Sequence, residues 1–466
     1  MEKPLIFMFQ QNGNNYLFDS NRHKILSVSL QDYLTIDKFL KNEVVDDTSF
    51  INQLQKNGFL LPTKIKEIKH PMTDFIPDYL ENKIRNITLQ VTQKCNFRCE
   101  YCAYSGIYNN RSHSNKIMTF NIARKAIDFL INHSSGSKQI NIGFYGGEPL
   151  LEFNLIKDCI KYAETKSIGK DLSFNLTTNG SLINHEIVEY FASHNVAMSI
   201  SIDGPKEIHD KNRKFVNGRG TFEQVHKNIK FIKKNYTDYY NNKINFLMVL
   251  DPESNMSCLN QFCRSEDGLF CDAIITSSFI NDLYKKHELR YEEDFIVQWE
   301  YERFKFYLYK LGKLEQKHVS QLLGIGFQEI NDIFNDFDKD FPELPSVVHH
   351  NGPCIPGQLR LFVTSDGNLF PCERVSEKSE CMKIGHIDSG FDFNKIKSLL
   401  NVGKLSSEAC KACFAIRLCK ICAAKADDMT ELSKVKKSLA CFAARNEIEE
   451  KLRDGCALQE VGYQFS

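Results

Sequence analysis

Three cysteines, Cys95, Cys99 and Cys102, are spaced C-x3-C-x2-C within Thr92-Gln93-Lys94-Cys95-Asn96-Phe97-Arg98-Cys99-Glu100-Tyr101-Cys102. Three thiolates can ligate three irons of a cubane cluster, whereas zinc normally takes four protein ligands and an ordinary cubane takes four cysteines. One iron is then left open, and an open iron can bind a small molecule directly. Completed by a remote fourth residue, the same triad would make a zinc knuckle, so both chemistries stand at this point. A second array lies far downstream: Cys354, Cys372, the run Cys410-x2-Cys413-x5-Cys419-x2-Cys422, and Cys441. Taken alone, its C-x2-C pairs also fit a zinc ribbon. The chain has 16 cysteines and no apolar run suited to an export signal, so metal or redox work is expected rather than structural disulfides.

The elements that must position the triad alternate between strand and helix. Apolar alternation predicts strands at Ile87 to Val91, Gln139 to Phe144, Ser173 to Thr177, Ala197 to Ile202, Lys243 to Leu250 and Asp272 to Thr276. Amphipathic segments Asn121 to Asn132, Glu152 to Lys166, Asn184 to His194 and Thr221 to Lys234 suit crossover helices. Six such units make a partial (β/α)6 barrel, whose chemistry sits in loops at the carboxyl ends of the strands. The triad follows the first strand, Tyr145-Gly146-Gly147-Glu148-Pro149 the second, Thr178-Asn179-Gly180 the third, and Asp203-Gly204-Pro205 the fourth. All four motifs therefore fall on one rim. Gly146-Gly147 would let backbone approach a ligand closely, and Glu148 adds a carboxylate able to accept from an ammonium group.

Around this core, residues 1–83 read as a cysteine-free unit: a hairpin over Asn12-Gly13-Asn14, a third strand at Lys24 to Ser29, and two short helices. The core is expected over 84–285, a helical bridge over 286–345 and a cysteine-rich domain over 346–466. In the bridge, Trp299, Phe304, Phe306 and Tyr309 are spaced to pack one face of a long helix. Cys258, Cys263, Cys271, Cys159 and Cys456 lack ligand spacing and read as ordinary thiols. With 59 Lys+Arg against 59 Asp+Glu, no global basic field argues for nucleic acid or an anionic membrane. No apolar run approaches a membrane span, and a cytoplasmic location is expected.

The triad together with Gly-Gly-Glu-Pro after the second strand resembles the radical S-adenosylmethionine (SAM) enzymes. The seven-cysteine array resembles the SPASM extension of peptide-modifying members, although Cys419 and Cys422 are separated by two residues where the family commonly has three. Residues 1–83 are similar in size, order and position to the winged-helix RiPP recognition element, which captures a leader peptide by strand addition. Cys102-Ala103-Tyr104-Ser105-Gly106, with Asn110-Arg111-Ser112-His113-Ser114 downstream, looks like maturases of cysteine-rich peptides, the ranthipeptide and sactipeptide thioether formers.

The resemblance implies three [4Fe-4S] clusters and SAM. Cys95, Cys99 and Cys102 would hold the SAM-binding cluster, with Gly146, Gly147 and Glu148 at the SAM amino group. Tyr101 would lie against the adenine, and Asn179, Ser201 and Arg213 would hold the ribose or carboxylate. For Arg213 an exposed helix salt bridge is the competing role. Cys410, Cys413, Cys419 and Cys441 would hold an outer auxiliary cluster, and Cys354, Cys372 and Cys422 an inner one whose fourth ligand is not evident. Cys381 divides between ligand and spectator. Glu373 occupies the position where sulfatase-maturing relatives carry a catalytic aspartate; its other role is as partner to Arg374 or a lysine. The implied partners are a cysteine-rich precursor peptide with a leader and an electron donor such as flavodoxin or ferredoxin. The implied reaction is thioether crosslinking by a 5'-deoxyadenosyl radical. Its alternatives are carbon-carbon crosslinking, formylglycine formation as in sulfatase maturation, and a zinc- or iron-sulfur-containing peptide adaptor without catalysis.

Overall fold

The structure is a computed structural model and describes residues 3–465 except 105–106, 109–110, 265–268, 271–272, 282 and 288. Readings that fall on Ser105, Gly106, Asn110, Cys271 and Asp272 lie outside the described residues. The chain forms two compact units, one of Met1–Asp74, Gly324–Cys354 and Lys397–Ser466, the other of Phe75–Leu323 and Ile355–Ile396. The segments 286–345 and 346–466 each contribute to both.

In the first unit, β1 (Ile6–Gln11), β2 (Asn14–Asp19) and β3 (Lys24–Val28) form an antiparallel sheet in the order β1-β2-β3. The turn uses Asn12 and Gly13, both at positive φ (48° and 84°), the geometry that matches the twist of a tight hairpin. Helices Leu30–Lys41 and Ser49–Lys56 close over Leu17, Ile36, Ile51, Leu54 and Leu60. Thr48 is the N-cap of the second helix and makes no side-chain bond there, while Asp47 before it accepts from the Ser49 amide at 2.8 Å. The short strand β4 (Glu67–Ile68) pairs parallel with Val347–Val348, which is β11 in chain order. The 27-residue helix Lys434–Glu460 reaches the hairpin: Glu460 accepts from Asn12 (2.8 Å), Asn14 (2.9 Å) and Tyr16 (2.5 Å).

The second unit is built on β5 (Asn86–Thr92), β6 (Gln139–Gly146), β7 (Asp171–Thr178), β8 (Ala197–Ser201), β9 (Ile244–Leu250) and β10 (Ile275–Phe279). They run parallel in sequential order, an open α/β arc of six strands. Ile87, Leu89 and Val91 are fully buried, as alternation on a covered sheet requires. Crossover helices include Phe120–Asn132, Phe153–Lys166, His185–Ser193 and Phe222–Asn235. Thr119 and Asn184 cap the first and third through their side chains. The last strand begins at Ile275, three residues later than expected, and helices Lys206–Asn212 and Met256–Cys263 add to the expected set. The sheet continues past β5 into β12 (Leu361–Val363), parallel to it, then β13 (Asn368–Phe370), β14 (Gly385–His386) and β15 (Gly390–Phe391), all antiparallel.

The expected single aromatic face on helix Glu293–Lys310 does not form: Phe306 is buried but Phe304 is 58% exposed. Two residues span more than half a helical turn, so the pair cannot share a face.

Candidate active site

The loop after β5 carries Cys95, Cys99 and Cys102, and two neighbouring stretches brace it. Arg98 and Glu100 donate backbone N–H groups to Lys214 and Asn212 (2.7 and 2.9 Å), and Phe97 packs edge-on to Phe215. From β6, Gly147 N donates to Thr92 O at 2.9 Å and Glu148 N to Lys94 O at 2.8 Å. A Cβ on Gly146 would stand 2.0 Å from Thr92 O, and one on Gly147 2.0 Å from Lys94 O. The two glycines thus make a close approach to the backbone of the cysteine loop.

Glu148 is fully buried. Its Oε1 accepts from Thr178 Oγ1 (2.7 Å) and Leu150 N (3.0 Å), and its Oε2 from Asn179 N (2.7 Å). Burial pushes its carboxyl up to about 7, against the three donors, which favour the charged form. Both oxygens accept hydrogen bonds within the protein, so the side chain joins the loops after β6 and β7. Asn179 Nδ2 donates to Asn96 Oδ1 at 2.9 Å and lies 3.9 Å from Cys95 Sγ.

Arg213 is 7% exposed, so it is no exposed helix salt bridge. Its Nε and Nη2 reach the two oxygens of Asp203 at 2.8 and 3.2 Å, and its guanidinium lies 5.5 Å from the Tyr101 ring centre. The Tyr101 hydroxyl also donates to Asp203, and Val249 N donates to its other oxygen at 3.1 Å. Asp203 therefore organises Tyr101 and Arg213, although only its turn motif stood out in the sequence. Ser201, at the end of β8, is 9% exposed.

Burial pushes the Cys95 thiol up to about 12, with Glu148 and Cys102 adding to the shift, and raises Cys99, which feels Cys102 and Cys95 as well as Arg213. Two desolvated thiols, with a third close enough to be sensed by both, suit a site where iron replaces protons on sulfur. Among the described residues no three Cys, His, Asp or Glu side chains surround a single point as ligands of one metal ion do. A cubane spreads its thiolates over separate irons and does not require that convergence.

Glu373 follows Cys372 in the same unit. Its side chain is 12% exposed; Oε1 pairs with Arg360, with Arg374 farther at 3.9 Å, while Oε2 is buried without a hydrogen-bond partner. The partner is thus Arg360, which sequence reading passed over. Arg111, 4% exposed, donates to the carbonyls of Glu373 and Val375 and lies 2.9 Å from Glu377 Oε1. Glu377 in turn accepts from Gln90 (2.7 Å) and Gln93 (3.1 Å), which ties this segment to the strand and loop that carry the triad. Nothing local in the sequence marks Glu377, and Arg111 stands out only as part of a motif. Cys381 Sγ lies 3.3 Å from Ser379 Oγ.

In the other unit, Cys410 and Cys419 are buried and Cys413 and Cys441 partly so. Burial raises the Cys413 and Cys419 thiols, Cys419 to about 11; Cys413 senses Cys410 and Cys441, and Cys419 senses Cys413 and Cys441. Cys354 and Cys422 belong to this unit and Cys372 to the other.

Residues 89–264 match the family model of the Radical SAM superfamily. They form a radical SAM domain, of a class that works with a [4Fe-4S] cluster and SAM. Over 346 residues it is 27% identical to the cysteine-type anaerobic sulfatase-maturating enzyme of Clostridium novyi, covering 71% of this chain and 84% of that protein. It is 27% identical over 254 residues to the radical SAM cyclopropyl synthase TigE of Paramaledivibacter caminithermalis, covering 51% of this chain and 52% of that one. The solved structure of native anSMEcpe with bound AdoMet matches with a TM-score of 0.56 at 21% identity, covering 78% of this chain and 99% of that chain, so the two share a fold. Among the described residues no helix is long and apolar enough to cross a membrane.

Proposed function

We propose that this enzyme matures a ribosomally made, cysteine-rich peptide, joining a cysteine sulfur to a carbon of the same peptide. The observation that carries this reading is the sheet of the first unit, where β3 has no further strand on its outer edge among the described residues. An open edge beside a short helical pair suits capture of a leader peptide by strand addition. Residues 1–83 take the recognition role, 84–285 the radical core and 346–466 the SPASM role, with 286–345 between.

Cys95, Cys99 and Cys102 hold the core cluster, and Gly146, Gly147, Glu148, Tyr101, Asn179, Ser201 and Arg213 shape the SAM pocket. When bound, cluster and SAM supply a 5'-deoxyadenosyl radical that takes hydrogen from a substrate carbon. The chain's part is placement: Gly146 and Gly147 fix the cysteine loop, and Asp203 aligns Arg213 with the Tyr101 ring. Cys410, Cys413, Cys419 and Cys441 hold the outer auxiliary cluster, while the inner assignment of Cys354, Cys372 and Cys422 rests on the sequence pattern. Electrons come from flavodoxin or ferredoxin in the cytoplasm.

A second reading, oxidation of a peptide cysteine to formylglycine, is favoured by the similarity to the Clostridium novyi enzyme and by the buried, partnerless Oε2 of Glu373, placed to accept a proton. Anaerobic turnover with a cysteine-rich peptide encoded beside this chain separates the readings. The thioether reading expects loss of two hydrogens per crosslink together with an alkylatable thiol. An aldehyde trapped by a hydrazide would replace it with the second reading, and two-hydrogen loss with all thiols retained would point to a carbon-carbon bond. Absence of 5'-deoxyadenosine under all conditions would return the chain to a binding role.

A further inference from the structure

Lys437 is fully buried, yet among the described residues its ammonium meets no carboxylate. Its Nζ donates to Ser406 Oγ at 2.6 Å and lies 3.6 Å from both Cys410 Sγ and Cys441 Sγ. Cys441 is one helical turn further along Lys434–Glu460, so the helix presents cation and sulfur side by side, while Cys410 comes from the separate helix Ser407–Lys411. A buried ammonium needs a counter-charge, and among the described residues the groups against it able to carry one are these two sulfurs. Metal-bound thiolates would meet that need.

We infer that Lys437 is a positioning residue that tunes the outer auxiliary cluster, its fixed positive charge making that cluster easier to reduce. This rests on the proposal that Cys410, Cys413, Cys419 and Cys441 hold a [4Fe-4S] cluster. One-electron reduction adds a negative charge shared between the cubane and its thiolates, and a buried cation against two of them stabilises the reduced form more than the oxidised one. The setting differs from that of Arg213, which is paired with Asp203, so that Cys99 senses both charges of the pair.

The test uses the anaerobically reconstituted full chain. The outer cluster is identified as the part of the iron, sulfide and reduced-state electron paramagnetic resonance signal that C441A loses. The midpoint potential of that signal is then followed in wild type, K437R, K437Q and K437M. We expect iron and sulfide to be retained, the midpoint to move negative in K437Q and K437M, and K437R to keep the wild-type value. A midpoint unchanged in K437Q, which preserves a hydrogen-bond donor but not the charge, overturns the role of Lys437 while leaving the cluster standing. Iron and sulfide identical in C441A and wild type overturn the cluster itself, and Lys437 with it. Should K437M lose its cluster, K437Q against K437R carries the same decision.

Discussion

The cysteines of the β5 loop and those gathered around Lys437 are both at least partly buried thiol sets, but the chain holds them by different means. The first is clamped by backbone: Gly147 and Glu148 donate into the loop, Asn212 and Lys214 accept from it, and the nearby ion pair of Arg213 and Asp203 is already neutral. The second has Lys437, a cation with no carboxylate partner, placed against two sulfurs. Backbone clamping fixes geometry without adding charge, which suits a cluster that must keep one iron open for SAM. A lone cation fixes charge, which would suit the electron-accepting auxiliary cluster proposed for that set.

Replacing Cys95, Cys99 and Cys102 together by Ala is expected to abolish 5'-deoxyadenosine formation, a loss of about a thousandfold or more, while iron bound by the second set persists; loss of all iron would erase the distinction between the sets. Gly147→Ala drives a methyl group to 2.0 Å from Lys94 O, so the loop must move. A displacement of that order costs about a hundredfold in SAM cleavage, read by chromatography, with the spectrum of the second set unchanged. Cys410→Ala is expected to leave SAM cleavage within about threefold of wild type but to lower modified peptide at least tenfold. Equal loss of both would mean that the two sets act as one.

The smallest effect concerns pH. His209 Nδ1 accepts from Asp203 N at 3.2 Å, and burial, with Arg213 nearby, pushes its imidazole down to about 4. The unfolded chain takes up this proton near pH 6.5 and the folded chain only near 4, so stability is full above pH 6.5 and falls as pH drops through that window. The loss reaches about 3 kcal/mol. Denaturant titrations of the apo chain at pH 7.5 and pH 5 should show it, and His209→Gln should flatten the difference.

The sequence carried most of the parallel arc because each strand is a short apolar run followed by a motif, and alternation survives without knowledge of neighbours. The cysteine loop and Gly146-Gly147 were visible for the same reason, but not what the glycines approach, since Thr92 and Lys94 lie more than fifty residues away. Arg111 and Asp203 were visible only as members of motifs and Lys437 not at all, because a charged side chain in a polar stretch reads as solvated until burial is known. The strand β12 joins β5 across more than 260 residues, and three residues hold no periodicity to detect.

The contacts of Glu460 with Asn12, Asn14 and Tyr16 close separations of 444 to 448 residues, whereas the arc around β5 is made from nearly contiguous chain. Loop-closure entropy therefore weighs most on the first unit. Lys437 and Cys441 lie on the same helix as Glu460, so the pocket for the second thiol set shares that long-range closure, while the β5 loop is held by nearer neighbours in sequence.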